Sequence, residues 1–136
     1  MRYFLMQSLA ALSCCALCAS ALAAEIVLVV NPKNPATSLT VEQVSQVYLG
    51  ISNSFTPLDQ VESPLRAEFY KKVTNKEPGQ VRAIWAKLVF TGKGRMPREL
   101  AGNDDVKKAV AADPNAIGYI EKSALDGSVK AVLSVP

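Results

Sequence analysis

Apolar and polar positions change period several times along the chain, and each change marks an element. Glu25–Val30 (EIVLVV) is a continuous β-branched run and predicts a buried strand. NPKNPATS follows as a loop fixed by two prolines. LTVEQVSQVYLG then takes a helical period, with Val41, Val44, Val47 and Tyr48 on one face. Thr40 and Gln43 have capping-box spacing, and Gly50 marks the stop. A short strand is expected near Leu58–Val61. Ser63 as N-cap and Pro64 as first helical residue open a second helix, which turns Leu65, Phe69 and Val73 to one side. NKEPG breaks it.

QVRAIWAKLVF carries the clearest helical stripe: Val81, Ile84, Trp85, Leu88 and Val89. The same stripe places Trp85 and Phe90 in the core, and Gly92 ends the helix. GKGRMPREL reads as a basic loop. Asn103 is read as the cap of a helix with Asp104 and Asp105 in its first turn, where the dipole favours them, and with Val106 and Val110 inward. AIGYI and SVKAVLSV are the last strands. Gly118 inside AIGYI points to a close approach, to a neighbouring strand or to a ligand. Helices alternating with apolar strands predict an α/β domain: a small mixed sheet covered by helices.

Residues 1–24 stand apart. Arg2, an apolar run and ASALAA read as a secretory signal peptide, with cleavage fitting equally after Ala23 or Ala24. The competing reading is an uncleaved anchor. The three cysteines, Cys14, Cys15 and Cys18, fall in this segment, and neither ALSC nor CALC has the spacing of a lipid-attachment signal. Residues 25–136 are then one periplasmic or secreted domain without Cys, so without disulfides.

The chain of 136 residues has 15 basic and 12 acidic residues. That balance is not the basic signature of a nucleic-acid-binding domain. It has no His. Without His or Cys the expected domain has no His-based catalytic triad and no ordinary zinc site. No phosphate-binding glycine loop or dinucleotide fingerprint occurs. An enzyme is not expected, nor a metal or cofactor.

The candidate chemistry lies in SPLR (Ser63–Arg66) and TGKGRMPR (Thr91–Arg98). Arg66 stands at N3, where a capping box would carry Glu or Gln and where the helix dipole disfavours a cation. Two explanations compete. Either an anion binds there, held by Ser63, Arg66 and the first-turn amides, or Glu62 or Asp59 neutralises Arg66. In the second segment glycines free the backbone to wrap an anion and Lys93, Arg95 and Arg98 supply charge, or the segment is a solvated basic loop at a helix C-terminus.

LTVEQVSQVYLG, the Ser-x-x-Arg helix start, WAKLVFTGKGRMP and DPNAIGYI, in this order, resemble the phosphate-binding proteins of bacterial ABC uptake systems. The resemblance implies a single lobe of the type 2 periplasmic-binding-protein fold. It implies a small oxyanion such as phosphate as ligand, with Ser63, Arg66, Lys93 and Arg95 as ligand-binding residues. It also implies a second copy or a partner membrane protein supplying the other wall of the cleft. Where that family's helix start reads Ser-Gly-Thr-Arg, this chain has Pro64 and Leu65, which remove an amide and a hydroxyl. Weak binding is therefore expected. The alternative is an interaction or sensor-accessory module that has lost its ligand.

Overall fold

The computed structural model describes residues 25–136; the signal-peptide expectation and the three cysteines lie outside the described residues. In chain order the elements are β1 (Ile26–Val30), α1 (Val41–Tyr48), β2 (Thr56–Gln60), α2 (Pro64–Thr74), α3 (Pro78–Phe90), β3 (Arg98–Leu100), α4 (Asn103–Ala112), β4 (Ala116–Glu121) and β5 (Lys130–Val135). They form one five-stranded sheet in the order β3-β2-β4-β1-β5. Strand β2 runs parallel to both β3 and β4, whereas β1 is antiparallel to β4 and β5. The expected α/β domain with a small mixed sheet is therefore the fold.

Helices cover both faces, which explains the unbroken apolar run of β1. Ile26, Leu28 and Val30 face the core under α1, α2 and α3, together with Val44, Tyr48, Phe69, Val81, Trp85 and Tyr119. Val27 and Val29 face the opposite core under α4, with Val106, Val110 and Ile120. The period of two along β1 assigns its residues to the two cores in turn.

Local signals set the helix ends. Thr40 and Gln43 form the expected capping box, and Gly50 (φ +73°) turns the chain after α1. Ser63 Oγ accepts the Arg66 amide at the start of α2. Gly92 (φ +72°) follows α3. The cap of α4 is Gly102, one residue before the expected Asn103. Asn103 is the first helical residue, and its Oδ1 accepts hydrogen bonds from Gln60 Nε2 and the Glu121 amide.

Three expectations are corrected. Part of the expected basic loop, Arg98–Leu100, pairs with β2 as an edge strand. Phe90 is not in the core: it is 92% exposed, because at about 3.6 residues per turn it falls on the side of α3 opposite Val81 and Leu88, which pack inward. Val89, at the margin of that inward stripe, is also exposed. Gly118 does make room for a close approach, but from α4. A Cβ there would lie 2.5 Å from Val106 Cγ1.

Candidate functional site

The charged centre of the domain is built on β2. Asp59 lies in a strand whose alternate residues face the two cores, and its carboxylate enters the aromatic side. Its Oδ1 accepts hydrogen bonds from Tyr119 Oη at 2.5 Å and the Gln60 amide at 2.8 Å. Its Oδ2 accepts from Tyr70 Oη at 2.5 Å. Phe69 stacks on Tyr119 with ring centroids 3.9 Å apart, and Tyr48 meets Phe69 edge-on at 4.8 Å. Tyr48 Oη donates to the Leu58 carbonyl at 2.7 Å. The carboxylate is thus surrounded by donors supplied from β2, α2 and β4.

Arg66 completes the cluster. Only 4% of its surface is exposed. Its Nη2 lies 3.4 Å from Asp59 Oδ2 and its Nη1 lies 3.3 Å from Glu99 Oε1 on β3. The guanidinium also lies 5.8 Å from the centroid of the Tyr70 ring. Nε is buried without a hydrogen-bond partner. Burial pulls the Arg66 pKa down, but Asp59, Tyr70 and Glu99 outweigh it and the group is held above its ordinary value. Burial first, and then Asp59, push Tyr70 and Tyr119 far above the usual tyrosine range; burial does the same to Tyr48. These hydroxyls stay protonated and donate.

Of the two explanations for Arg66, the ion pair with Asp59 is present, with Glu99 as a second carboxylate that the sequence reading missed. Glu62 is exposed and plays no part in this pairing. The signal for the aromatic donors was faint: one acid inside a short strand, with tyrosines spread over three elements. Only the fold brings Tyr70 and Tyr119 together on Asp59.

Ser63 and Arg66 are adjacent, as expected, but Ser63 Oγ caps the Arg66 amide. The Ala67 amide bonds to the Ser63 carbonyl, and Pro64 has no amide hydrogen. Among the described hydrogen bonds, that leaves the Leu65 amide as the free donor of the first turn. Lys93 and Arg95 are exposed in the loop that leads into β3. Because β2 and β3 are parallel, that loop joins the N-terminal end of its strand, whereas α2 follows the C-terminal end of β2. The four residues therefore do not converge on one cradle. A surface hollow beside β3 is lined by Arg98, Leu100, Asp105, Lys108 and Ala109, and by neither Ser63 nor Arg66. Among the described residues, no group of three or more metal-ligating side chains is placed to hold an ion.

Comparison with solved structures supplies the fold class. The chain is similar to a structure from Clostridium perfringens assigned as a phosphate ABC transporter substrate-binding protein and solved with bound phosphate, at TM-score 0.65 and 23% identity. It is also similar to an ABC-type phosphate transport receptor from Vibrio cholerae (TM-score 0.61, 22% identity) and to PstS from Borrelia burgdorferi (0.60, 14%). Each match covers 80% of this chain but only 45%, 46% and 47% of the respective structures, so the chain spans about half their length. The resemblance read from the sequence is thus matched at the level of the fold: an α/β lobe of the periplasmic-binding-protein type. No protein-family profile matches the chain.

Proposed function

We propose that this protein is a non-enzymatic, exported lobe of the solute-binding type in which the anion subsite at the start of α2 is closed by an internal ion pair. In this reading it serves as an interaction or sensor-accessory module rather than as a high-affinity phosphate receptor. The observation that carries the reading is the position of Arg66 between Asp59 and Glu99. A phosphate approaching the guanidinium meets two carboxylates against one cation. It also finds one free amide in the first turn. Each hydrogen bond to a charged group that is missing weakens binding by about 1.5–3 kcal/mol, which is one to two orders of magnitude in affinity. The periplasm or cell exterior as its compartment rests on the pattern of residues 1–24.

One observation favours a second reading, weak oxyanion binding with a link to phosphate uptake. Nε of Arg66 is buried and unpartnered, and Glu99, 41% exposed on a three-residue edge strand, is free to swing outward. Arg66, the Leu65 amide and Ser63 would then face an anion, with Lys93 and Arg95 contributing only long-range charge. A second copy or a partner membrane protein would supply the opposite wall. NMR titration with phosphate and sulfate separates the two. The first reading expects no localised shift in Leu65–Ala67 at millimolar anion in the wild type, and at most a weak response in Glu99→Gln. A saturable wild-type response confined to these amides would overturn it in favour of the second.

A further inference from the structure

The C-terminal end of α3 differs from the rest of the surface. From Pro78 to Arg98 the chain carries five cations, Arg82, Lys87, Lys93, Arg95 and Arg98, and no acid. Among the described residues none of the five takes part in an ion pair. The same segment holds Phe90, 92% exposed, with Val89 and Met96 also exposed. Thr91, Gly92 and Lys93 wrap back on the helix end through their amides, which bond to Lys87, Val89 and Leu88 carbonyls. Gly94 then lies against Trp85 and Leu88, and Gly50 of the α1 turn meets the same two side chains. Ile51, 73% exposed, follows Gly50 in the turn that packs on Trp85 and Leu88.

We propose that this tip is a membrane-contact surface that takes an anionic phospholipid bilayer. Unpaired cations beside exposed apolar side chains, here Lys87, Lys93 and Arg95 flanking Val89, Phe90 and Met96 in the chain, are the composition of an interfacial contact: the apolar groups enter the headgroup boundary and the cations meet phosphate charge. Charge complementarity selects an anionic layer. The shape selects lipid over protein. Phe90 stands out from the end of a helix, and a bilayer receives such a side chain without a preformed pocket. The inference does not depend on whether an anion binds at Arg66.

Co-sedimentation with phosphatidylglycerol–phosphatidylcholine vesicles tests it, with pure phosphatidylcholine as comparison. The exported protein is used in all arms, so residues 1–24 contribute alike to wild type and variants. Binding is expected to anionic vesicles only and to fall as salt rises. Phe90→Ser should weaken it about tenfold, and Lys93→Ser with Arg95→Ser about 25-fold; Phe90→Leu should largely retain it. Inorganic phosphate at matched ionic strength should leave the bound fraction unchanged. Unchanged thermal unfolding shows that the variants keep the fold. Equal binding to both vesicle types, variants that sediment like wild type, or release by phosphate would overturn the proposal. Flat vesicle arms would overturn it as well and leave a protein partner as the occupant of the tip.

Discussion

Asp59 is the residue on which the buried chemistry turns. An ionised carboxylate inside a small core is stable only when donors and an opposite charge surround it. Tyr70, Tyr119, the Gln60 amide and Arg66 fill that role. The tyrosines give the arrangement a pH signature. In the fold their pKa values lie far above the unfolded value, so their contribution is complete below about pH 10 and is lost as pH rises beyond it, because the unfolded chain ionises first. Tyr48, Tyr70 and Tyr119 all shift upward. Together they should lower stability by up to about 4 kcal/mol per pH unit above that point. Thermal unfolding followed across that range, with tyrosinate absorbance, checks this. Tyrosines that ionise near pH 10 with the melting temperature unchanged would contradict the buried cluster. Asp59 was named in advance as a partner of Arg66, but Glu99 and the tyrosines were not. Sequence separation hides contacts that only strand pairing creates, such as that between β2 and β3.

Among the elements, those legible from sequence were the ones whose pattern is long or whose ends are chemically marked. The helix α1 has both a stripe and a capping box, and α2 has Ser63 and Pro64. Strand β3 was missed because three residues, Arg98, Glu99 and Leu100, bury only the last and show no apolar run. The α3 stripe misled at its end: the apolar run continues through Val89 and Phe90, but helical phase turns Phe90 away from the face of Val81 and Leu88. Gly118 shows the reverse, a sequence signal with its cause on another element. Gly118→Ala brings a Cβ to 2.5 Å from Val106 Cγ1 in a filled core. The expected loss is about 1–3 kcal/mol, from overpacking between β4 and α4. Denaturant unfolding of Gly118→Ala, alone and with Val106→Ala, measures it. The pair should be less destabilised than the sum of the single changes. Strict additivity would remove the close approach as the reason for this glycine.

At the scale of the whole molecule, two cores on either face of one sheet should unfold together. Trp85, the single tryptophan, reports from the larger core: it is buried and its Nε1 donates to the Tyr48 carbonyl at 2.8 Å. Its emission and far-ultraviolet circular dichroism should give one coincident transition for residues 25–136, unchanged by chelator or reductant. Separate transitions, or an emission maximum of fully exposed indole in the native state, would contradict a cooperative domain with Trp85 inside.

The central claim, that Arg66 is committed to Asp59 and Glu99 and not to a ligand, is tested most directly by the unfolding free energy of wild type and Arg66→Ala, each with and without millimolar phosphate at constant ionic strength. Removing one partner of a buried ion pair typically destabilises by about 3–5 kcal/mol. A ligand that binds only the folded state adds stability in proportion to its occupancy. The account predicts a loss of that size in Arg66→Ala, the same with and without phosphate, and no phosphate-dependent gain in the wild type. A wild type stabilised by phosphate, beside an Arg66→Ala variant that is equally stable without phosphate and indifferent to it, would contradict the account and return Arg66 to an anion site.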